Sequence, residues 1–205
     1  MSARKSADSR KAEIVIAMLR LADELGPDRL TTNEVAEAVG LTQPGVFRHF
    51  PTKQDIWSAV ASHISETMTE AWQNVLQREV NPKDRLTALI QVQLRQITAN
   101  PAIPAILNSR ELHAENAALR AQFLDLMARF QKLLVDALSE GQAQGMFRPD
   151  IAPSDAAILL ISLLQGLAIR WSLGQRKFSL EVEGGRLLAS QIELFQAPVL
   201  PGKAA

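Results

Sequence analysis

Residues 31–53 read TTNEVAEAVGLTQPGVFRHFPTK and contain two short helical patterns on either side of a glycine. Thr31 and Glu34 have the spacing of a capping box, in which each side chain accepts a backbone N–H at the start of a helix. Gly40 lies where the chain must reverse, and glycine adopts the left-handed conformation without steric cost. Thr42 is suited to cap a second helix with a proline in its first turn. The stretch therefore predicts a helix-turn-helix.

The second helix is predicted over residues 43–50, where apolar and polar positions separate. Three apolar side chains are expected to pack inward and three polar ones to face solvent: Val46, Phe47 and Phe50, and Gln43, Arg48 and His49, respectively. No acidic residue lies between Glu37 and Asp55. Because phosphates repel carboxylates, a small, polar, acid-free first turn suits entry into the major groove of DNA.

Residues Val39–Thr42, Gly45–Phe50 and Lys53 together resemble the DNA-binding signature of TetR-type (TetR/AcrR) transcriptional regulators. The resemblance covers residues 10–60 specifically and is only architectural beyond them. It implies a recognition helix over Thr42–His49 and phosphate contacts from the Phe47 position. Tyrosine is usual at that position, and phenylalanine cannot donate a hydrogen bond to phosphate.

The resemblance and the helix-turn-helix pattern together define a set of expected DNA-binding residues. Within it, the first turn of the recognition helix approaches base edges, while His49 and Lys53 approach phosphates. The set is Thr31, Thr32, Thr42, Gln43, Pro44, Gly45, Phe47, Arg48, His49 and Lys53. The basic segment containing Arg4, Lys5, Arg10 and Lys11 could be a minor-groove arm or a solvated tail, and both interpretations stay open.

Composition excludes several classes of protein. The chain has 22 Lys+Arg and 22 Asp+Glu, so overall charge does not attract it to nucleic acid or a membrane. Cysteine is absent, which excludes disulfides, zinc–thiolate sites and cysteine nucleophiles. The N-terminus is polar, and the most apolar run, Ala156–Ile169, is expected to be too short to span a bilayer. We expect a soluble cytoplasmic protein without a cofactor.

Almost every stretch has helical periodicity, and no convincing alternating strand is present. The expected fold class is all-α, with an N-terminal three-helix DNA-binding domain over residues 1–53 and a C-terminal helical bundle over 54–205. The second domain is expected to bind an effector and to dimerise. Long helices are predicted over residues 9–25, 52–76, 115–141, 154–169 and 180–195.

The helix that begins at Ser154 is apolar around nearly its whole circumference, so it must be covered on every side. Together with the helix over 180–195, it predicts a four-helix interface between two copies of the chain. The expected interface residues are Ile158, Leu159, Ile161, Leu163, Leu167, Leu188, Ile192 and Phe195. The competing hypothesis is a central core helix within the monomer. A dimer would hold two recognition helices about 34–36 Å apart on a palindromic operator.

The family resemblance implies that residues from about 55 onward enclose a small-molecule pocket whose occupation releases DNA. A hydrophobic or aromatic effector is expected, held by apolar side chains and a few orienting polar groups. The candidates are Trp72, Leu94, Ile97, Asn108, His113, Phe123, Met127, Phe130 and Gln165. The alternative for each of these residues is an ordinary core or surface position.

An enzyme is not expected, because the usual catalytic patterns are missing. The sequence has no His-Glu-x-x-His motif, no Glu-x-x-His pair and no glycine-rich phosphate loop. Glu111 and His113 are two residues apart, so they do not share a helix face, and no metal site is expected. The sequence is also compatible with a transcriptional activator of the same fold, and with a helical adaptor that binds another protein without binding DNA.

Overall fold

The computed structural model describes residues 6–197, and over this range the chain forms ten helices and no named strand. The expected all-α fold is therefore confirmed. Arg4 and Lys5 lie outside the described residues. The helices are α1 (Ala7–Leu25), α2 (Thr32–Ala38), α3 (Gln43–Phe47), α4 (Lys53–Arg78), α5 (Pro82–Ala99), α6 (Ile103–Asn108), α7 (Arg110–Glu115), α8 (Ala117–Ala143), α9 (Pro153–Leu173) and α10 (Leu180–Phe195).

Contacts divide the chain into two compact units. Unit 1 lies within Met1–Thr69 and Ala99–Leu126, and unit 2 lies within Glu70–Thr98 and Met127–Ala205. Unit 1 therefore contains α1, α2 and α3 together with α6 and α7, whereas α9 and α10 belong to unit 2. Helices α4, α5 and α8 each contribute residues to both units.

Unit 1 forms around α1, which packs against α2 and α6. Ser6 caps α1 by accepting a hydrogen bond from the Ser9 N–H, and Gly26 ends it with a φ of 85°. The α1 side chains Ile14 and Met18 are completely buried, as are Leu30 and the α2 residue Val35. This apolar cluster fixes the orientation of α2, and α3 packs in turn against α2.

In unit 2, the side chain of Arg85, near the start of α5, makes hydrogen bonds both to the segment after α4 and to α8. The Arg85 guanidinium donates to the carbonyl oxygens of Glu79 and Val80, which follow α4. Its third bond, 2.7 Å long, joins Nη1 to the Glu140 carboxylate on α8. One side chain thus binds the two carbonyl oxygens that directly follow α4 and a carboxylate on α8.

A short clip connects the loop after α8 to the end of α10. Phe147 and Gln196 form an isolated antiparallel bridge. The Arg148 N–H donates to the Phe195 carbonyl oxygen at 2.9 Å, and the Ala197 N–H to the Met146 carbonyl oxygen at 3.0 Å. The end of α10 is therefore held by backbone bonds as well as by packing.

Helix α9 is longer than the apolar run suggested. It spans 21 residues and is long and apolar enough to cross a membrane by length and composition alone, but a single such helix is weak evidence, because a core helix passes the same test. Within unit 2, one side of α9 packs against α10. Its buried large side chains are Leu160, Leu164, Leu167 and Trp171.

Candidate nucleic-acid interface

The capping box at the start of α2 is confirmed. The Thr31 N–H donates to Glu34 Oε2 at 2.7 Å, and the Glu34 N–H donates to the Thr31 hydroxyl oxygen at 3.4 Å. Bonds from the Thr31 N–H and hydroxyl, with Lys53 nearby, hold the pKa of the Glu34 carboxyl below its ordinary value of 4.5. This cap sets where α2 begins, and Lys53 lies close enough to act electrostatically on the Glu34 carboxylate.

Gly40 makes the turn between α2 and α3 with a φ of 66°. The Leu41 N–H donates to the Ala36 carbonyl oxygen at 2.9 Å, which closes the C-terminus of α2. A Cβ added at Gly40 would meet no atom within 4 Å. The requirement for glycine here is therefore one of backbone conformation rather than space.

Helix α3 ends earlier than predicted, at Phe47 rather than at residue 50. Thr42 caps it as expected, accepting a hydrogen bond from the Gly45 N–H at 3.3 Å. Phe50 precedes Pro51, and a residue before proline is disfavoured in helical backbone. The chain still turns tightly here, since the Phe50 N–H donates to the Val46 carbonyl oxygen at 3.0 Å.

Phe47 does not pack inward as expected. Val46 and Phe50 are buried, but Phe47 is 37% exposed and lies on the solvent side next to the exposed Arg48. With α3 ending at Phe47, its single turn has only one position that points fully into the core, and Val46 occupies it. Thr42 and Pro44 are also exposed, while His49 is half-buried. An apolar ring thus belongs to the surface proposed for DNA.

Gln43 and Thr32 are joined by a hydrogen bond. The Gln43 amide Nε2 donates to the Thr32 hydroxyl oxygen at 2.7 Å. Thr32 is 8% exposed, so it is buried in α2 and positions Gln43 from behind rather than presenting a free surface. Sequence reasoning placed both residues in the DNA-binding set but did not reveal this link.

Two basic residues of α1 have partners within unit 1. Arg10 Nη1 donates to Glu13 Oε2 at 2.9 Å and to the Val39 carbonyl oxygen at 3.3 Å, which ties α1 to the C-terminus of α2. Lys11 Nζ lies 5.9 Å from the centre of the Phe50 ring. Both side chains therefore help to hold the helix-turn-helix in place.

The expected effector residues are distributed over both units. In unit 1, the His113 and Phe123 rings are in edge contact at 6.0 Å, whereas the exposed Asn108 donates to the Pro104 carbonyl oxygen at 2.7 Å. In unit 2, Trp72 stacks on Phe130 at 5.2 Å and donates to the Gln93 side chain. The remaining unit 2 candidates are Leu94 and Ile97, which are buried, Met127, which is exposed, and Gln165, which is half-buried.

The expected interface residues fall into two groups. Leu167, Leu188, Ile192 and Phe195 are buried within the single chain, where they form the core of unit 2 and are not available to a partner. Ile158 and Leu159 are about half exposed, and Ile161 and Leu163 are intermediate. Sequence reasoning missed several exposed apolar side chains of these two helices, namely Ile169, Leu173, Val182 and Leu194.

Unit 1 also contains polar groups that sequence reasoning did not single out. Ser109 and Asn116 are buried, and the Ser109 hydroxyl donates to the Asp28 carboxylate. Asp28 and Ser109 are 81 positions apart, so no local pattern links them. Among the described residues, no cluster of three or more His, Cys, Asp or Glu side chains could hold a metal ion.

Two family models together match most of the chain. Residues 14–60 match the model described as bacterial regulatory proteins, tetR family. Residues 62–192 match a TetR C-terminal model described as YsiA-like protein, C-terminal region. The first match contains α2 and α3.

Individual proteins similar to this chain have low sequence identity to it. The nucleoid occlusion factor SlmA of Marinobacter nauticus is 27% identical over 158 residues, which cover 77% of this chain and 81% of that protein. A TetR transcription regulator from Haloarcula marismortui superposes with a TM-score of 0.78 at 20% identity, covering 92% of this chain and 99% of that one. The ketosteroid transcriptional regulator KstR2 of Mycobacterium tuberculosis gives 0.77 at 19% identity, with 93% and 97% covered. At such identity the two structures establish the fold alone.

Proposed function

Because this chain belongs to the TetR family of bacterial regulatory proteins, we propose that it is a transcriptional repressor released from a palindromic operator by a small hydrophobic effector. TetR-family proteins bind DNA through a helix-turn-helix and regulate transcription, and in general they are not enzymes. In this proposal residues 1–53 bind DNA, and residues 54–205 bind the effector and dimerise. Like such regulators in general, the protein acts in the cytoplasm.

The observation that carries the proposal is the exposed face of α3. Its N-terminal turn contains Thr42 and Pro44, with Gln43 held by Thr32, and no acidic residue is present. Phe47 and Arg48 extend the same exposed segment. In this arrangement the first turn contacts base edges, while Arg48, His49 and Lys53 contact phosphates. Phe47 would contact the DNA backbone through the edge of its ring.

Exposed apolar side chains on α9 and α10 support a homodimer. Ile158, Ile169 and Leu173 follow one another at helical spacing along α9, and Leu173 is 81% exposed. Val182 and Leu194 on α10 are also exposed. Exposed large apolar side chains grouped on one helix favour a protein interface. A second copy would cover these side chains and would place two α3 helices on one duplex.

Selection of bound duplexes from a random oligonucleotide library tests this function. A palindromic motif should emerge, bound by two chains, with half-sites about one helical turn apart. Finding no preferred sequence, together with no binding at low salt, would contradict the proposal. A reporter gene placed behind the selected operator then distinguishes a repressor from an activator. Deleting the gene that encodes this protein raises reporter expression if the protein is a repressor and lowers it if the protein is an activator.

A second candidate is a nucleoid occlusion factor, favoured by the similarity to the SlmA protein of Marinobacter nauticus. Genome-wide mapping of bound DNA separates the two functions. A ligand-responsive repressor should occupy one or a few operators close to promoters, including sites near its own gene. A nucleoid factor should instead occupy many sites spread over the chromosome and should associate with the whole nucleoid in fluorescence images.

A further inference from the structure

Within the described residues, three buried side-chain nitrogens have no hydrogen-bond partner, and all three belong to unit 1. They are Trp57 Nε1 on α4, His113 Nδ1 on α7, and Asn116 Nδ2 between α7 and α8. Buried polar groups are nearly always paired, because leaving one unpaired forfeits its hydration without compensation. Such groups therefore mark places where a bound molecule can supply the missing partner.

Asn116 provides the clearest case because its amide orientation is determined by the backbone. Its Oδ1 accepts a hydrogen bond from the Leu119 N–H at 2.9 Å, so the opposite end of the amide must be the nitrogen. The residue is only 5% exposed, yet its Nδ2 has no partner. Two N–H donors are therefore buried and available only to an acceptor from outside this part of the chain.

A buried aromatic side chain lies beside one of these groups, His113. Phe123 lies on α8, seven residues after Asn116, which directly precedes that helix. The Phe123 ring is buried and meets the His113 ring edge-on at 6.0 Å. The α7–α8 junction thus combines unpaired nitrogens of His113 and Asn116 with an aromatic wall.

The local electrostatics favour a negatively charged acceptor. Asn116 caps the N-terminus of α8, a helix of 27 residues with no acidic side chain in its first turn. The unpaired N–H groups and the dipole at such a terminus attract anions. The amide nitrogen of Asn116 adds donors at the same end.

We propose that the α7–α8 junction binds the carboxylate end of an otherwise apolar effector, with Asn116 as the donor and Phe123 as part of the apolar wall. The proposal rests on the proposed function in identifying this molecule as the effector. Asn116 becomes a specificity-determining residue, since a ligand with an ammonium group cannot accept its hydrogen bonds. His113 Nδ1 lies on the preceding turn and contributes a second polar contact.

Calorimetric titration of the full chain tests the proposal. The probes are the straight-chain carboxylates from hexanoate to dodecanoate, and the primary alkylamines of the same lengths serve as controls. We expect saturable binding of at least one carboxylate, with one site per chain, and no binding of its matched amine. Asn116→Ser keeps a hydroxyl that can cap α8 but removes the amide donors, and it should weaken binding about tenfold or more.

Asn74→Ser is the matched control, because it removes an exposed amide from α4 and should leave the affinity unchanged. The proposal is overturned if no carboxylate of the series binds, if the amines bind equally well, or if Asn116→Ser retains full affinity while remaining folded by circular dichroism. Operator binding by the ligand-free protein is measured separately. If the ligand-free protein does not bind operator DNA, the proposed function is contradicted. The carboxylate titration would still test whether the α7–α8 junction is a binding site.

Discussion

The Ser109 hydroxyl donates a hydrogen bond to the Asp28 carboxylate, and the same oxygen accepts the Leu112 N–H that caps α7. Asp28 lies in the turn between α1 and α2, so this bond joins the helix-turn-helix to the helix that carries His113. A change in the position of α7 would therefore act directly on the chain segment that enters α2. In the proposed function, an effector that moves α7 would alter DNA binding through this contact.

We expect Ser109→Ala and Asp28→Ala each to lower the free energy of unfolding, and the double variant to lose less than their sum. A hydrogen bond to a charged group predicts a coupling of about 1.5–3 kcal/mol. Urea denaturation of the four proteins measures it. Ser109→Ala combined with Glu24→Ala is the control and should be additive, since Glu24 pairs with Arg20 instead. Additivity in the Asp28 cycle would contradict the link.

Arg48→Ala and Lys53→Ala should weaken binding to operator and to random duplexes alike. Each proposed phosphate contact contributes about 0.9 to the slope of log affinity against log salt, so each variant should flatten that slope by roughly this amount. Fluorescence anisotropy at several salt concentrations measures both quantities. Arg95→Ala removes an exposed charge from α5 and should leave the slope unaltered. If either substitution leaves the slope unchanged, the residue concerned does not contact phosphate.

Gln43→Ala should relax sequence preference at one position of each half-site, at a cost of about 1–3 kcal/mol in base discrimination. Thr32→Val should relax the same position, because it removes the hydroxyl that holds the Gln43 amide while keeping the buried side-chain shape. Affinities for operators with each base changed in turn measure the effect. If both variants keep the wild-type preference, Gln43 does not read bases.

Leu159→Glu should convert the proposed dimer into monomers and weaken operator binding. Leu159 is 51% exposed on α9, so the charge costs little in a single chain but cannot be buried against a second copy. Light scattering measures the molecular mass. Leu124→Glu is the matched control, being 60% exposed on α8. Dimers of normal affinity formed by the Leu159 variant would place the interface elsewhere.

The capping box should make stability depend on pH through Glu34. Folding lowers the pKa of its carboxyl below 4.5, so the ionised form is favoured in the folded chain. Its contribution is therefore complete above pH 4.5 and is lost as the pH falls through the lower, folded-state value. At neutral pH the wild-type protein should have a higher melting temperature than Glu34→Gln, and this difference should shrink below pH 4.5. Glu37→Gln controls for the loss of one negative charge on α2. A constant difference across the titration would contradict this role.

The helix-turn-helix could be predicted from the sequence because its determinants are local. Thr31 and Thr42 each cap a helix by accepting the backbone N–H three residues further along. The left-handed φ of Gly40 is likewise a local property of the turn. The apolar pattern placed Phe47 inward, whereas the family resemblance implied an outward position, which depends on α3 ending after a single turn. The bond between Asp28 and Ser109 forms only once distant segments have folded together.

The apolar sequence of α9 indicated that the helix must be covered. It did not indicate which side chains are covered within the chain and which remain exposed. Leu167 on α9 and Leu188 on α10 are buried within the chain, whereas Ile158 and Leu159 are not. Both groups contribute equally to hydropathy, so only tertiary packing separates them. The same holds for Asn116, whose unpaired amide nitrogen becomes visible only when the partners of its oxygen are known.

The burial of Trp57 gives unit 1 its own optical reporter. The chain has three tryptophans and no tyrosine, and the remaining two, Trp72 and Trp171, belong to unit 2. Replacing those two with phenylalanine would leave a single emitter, 2% exposed and enclosed in the unit that contains the helix-turn-helix. Its emission wavelength and quenching by iodide would then follow events in that unit alone, in real time and without an attached dye.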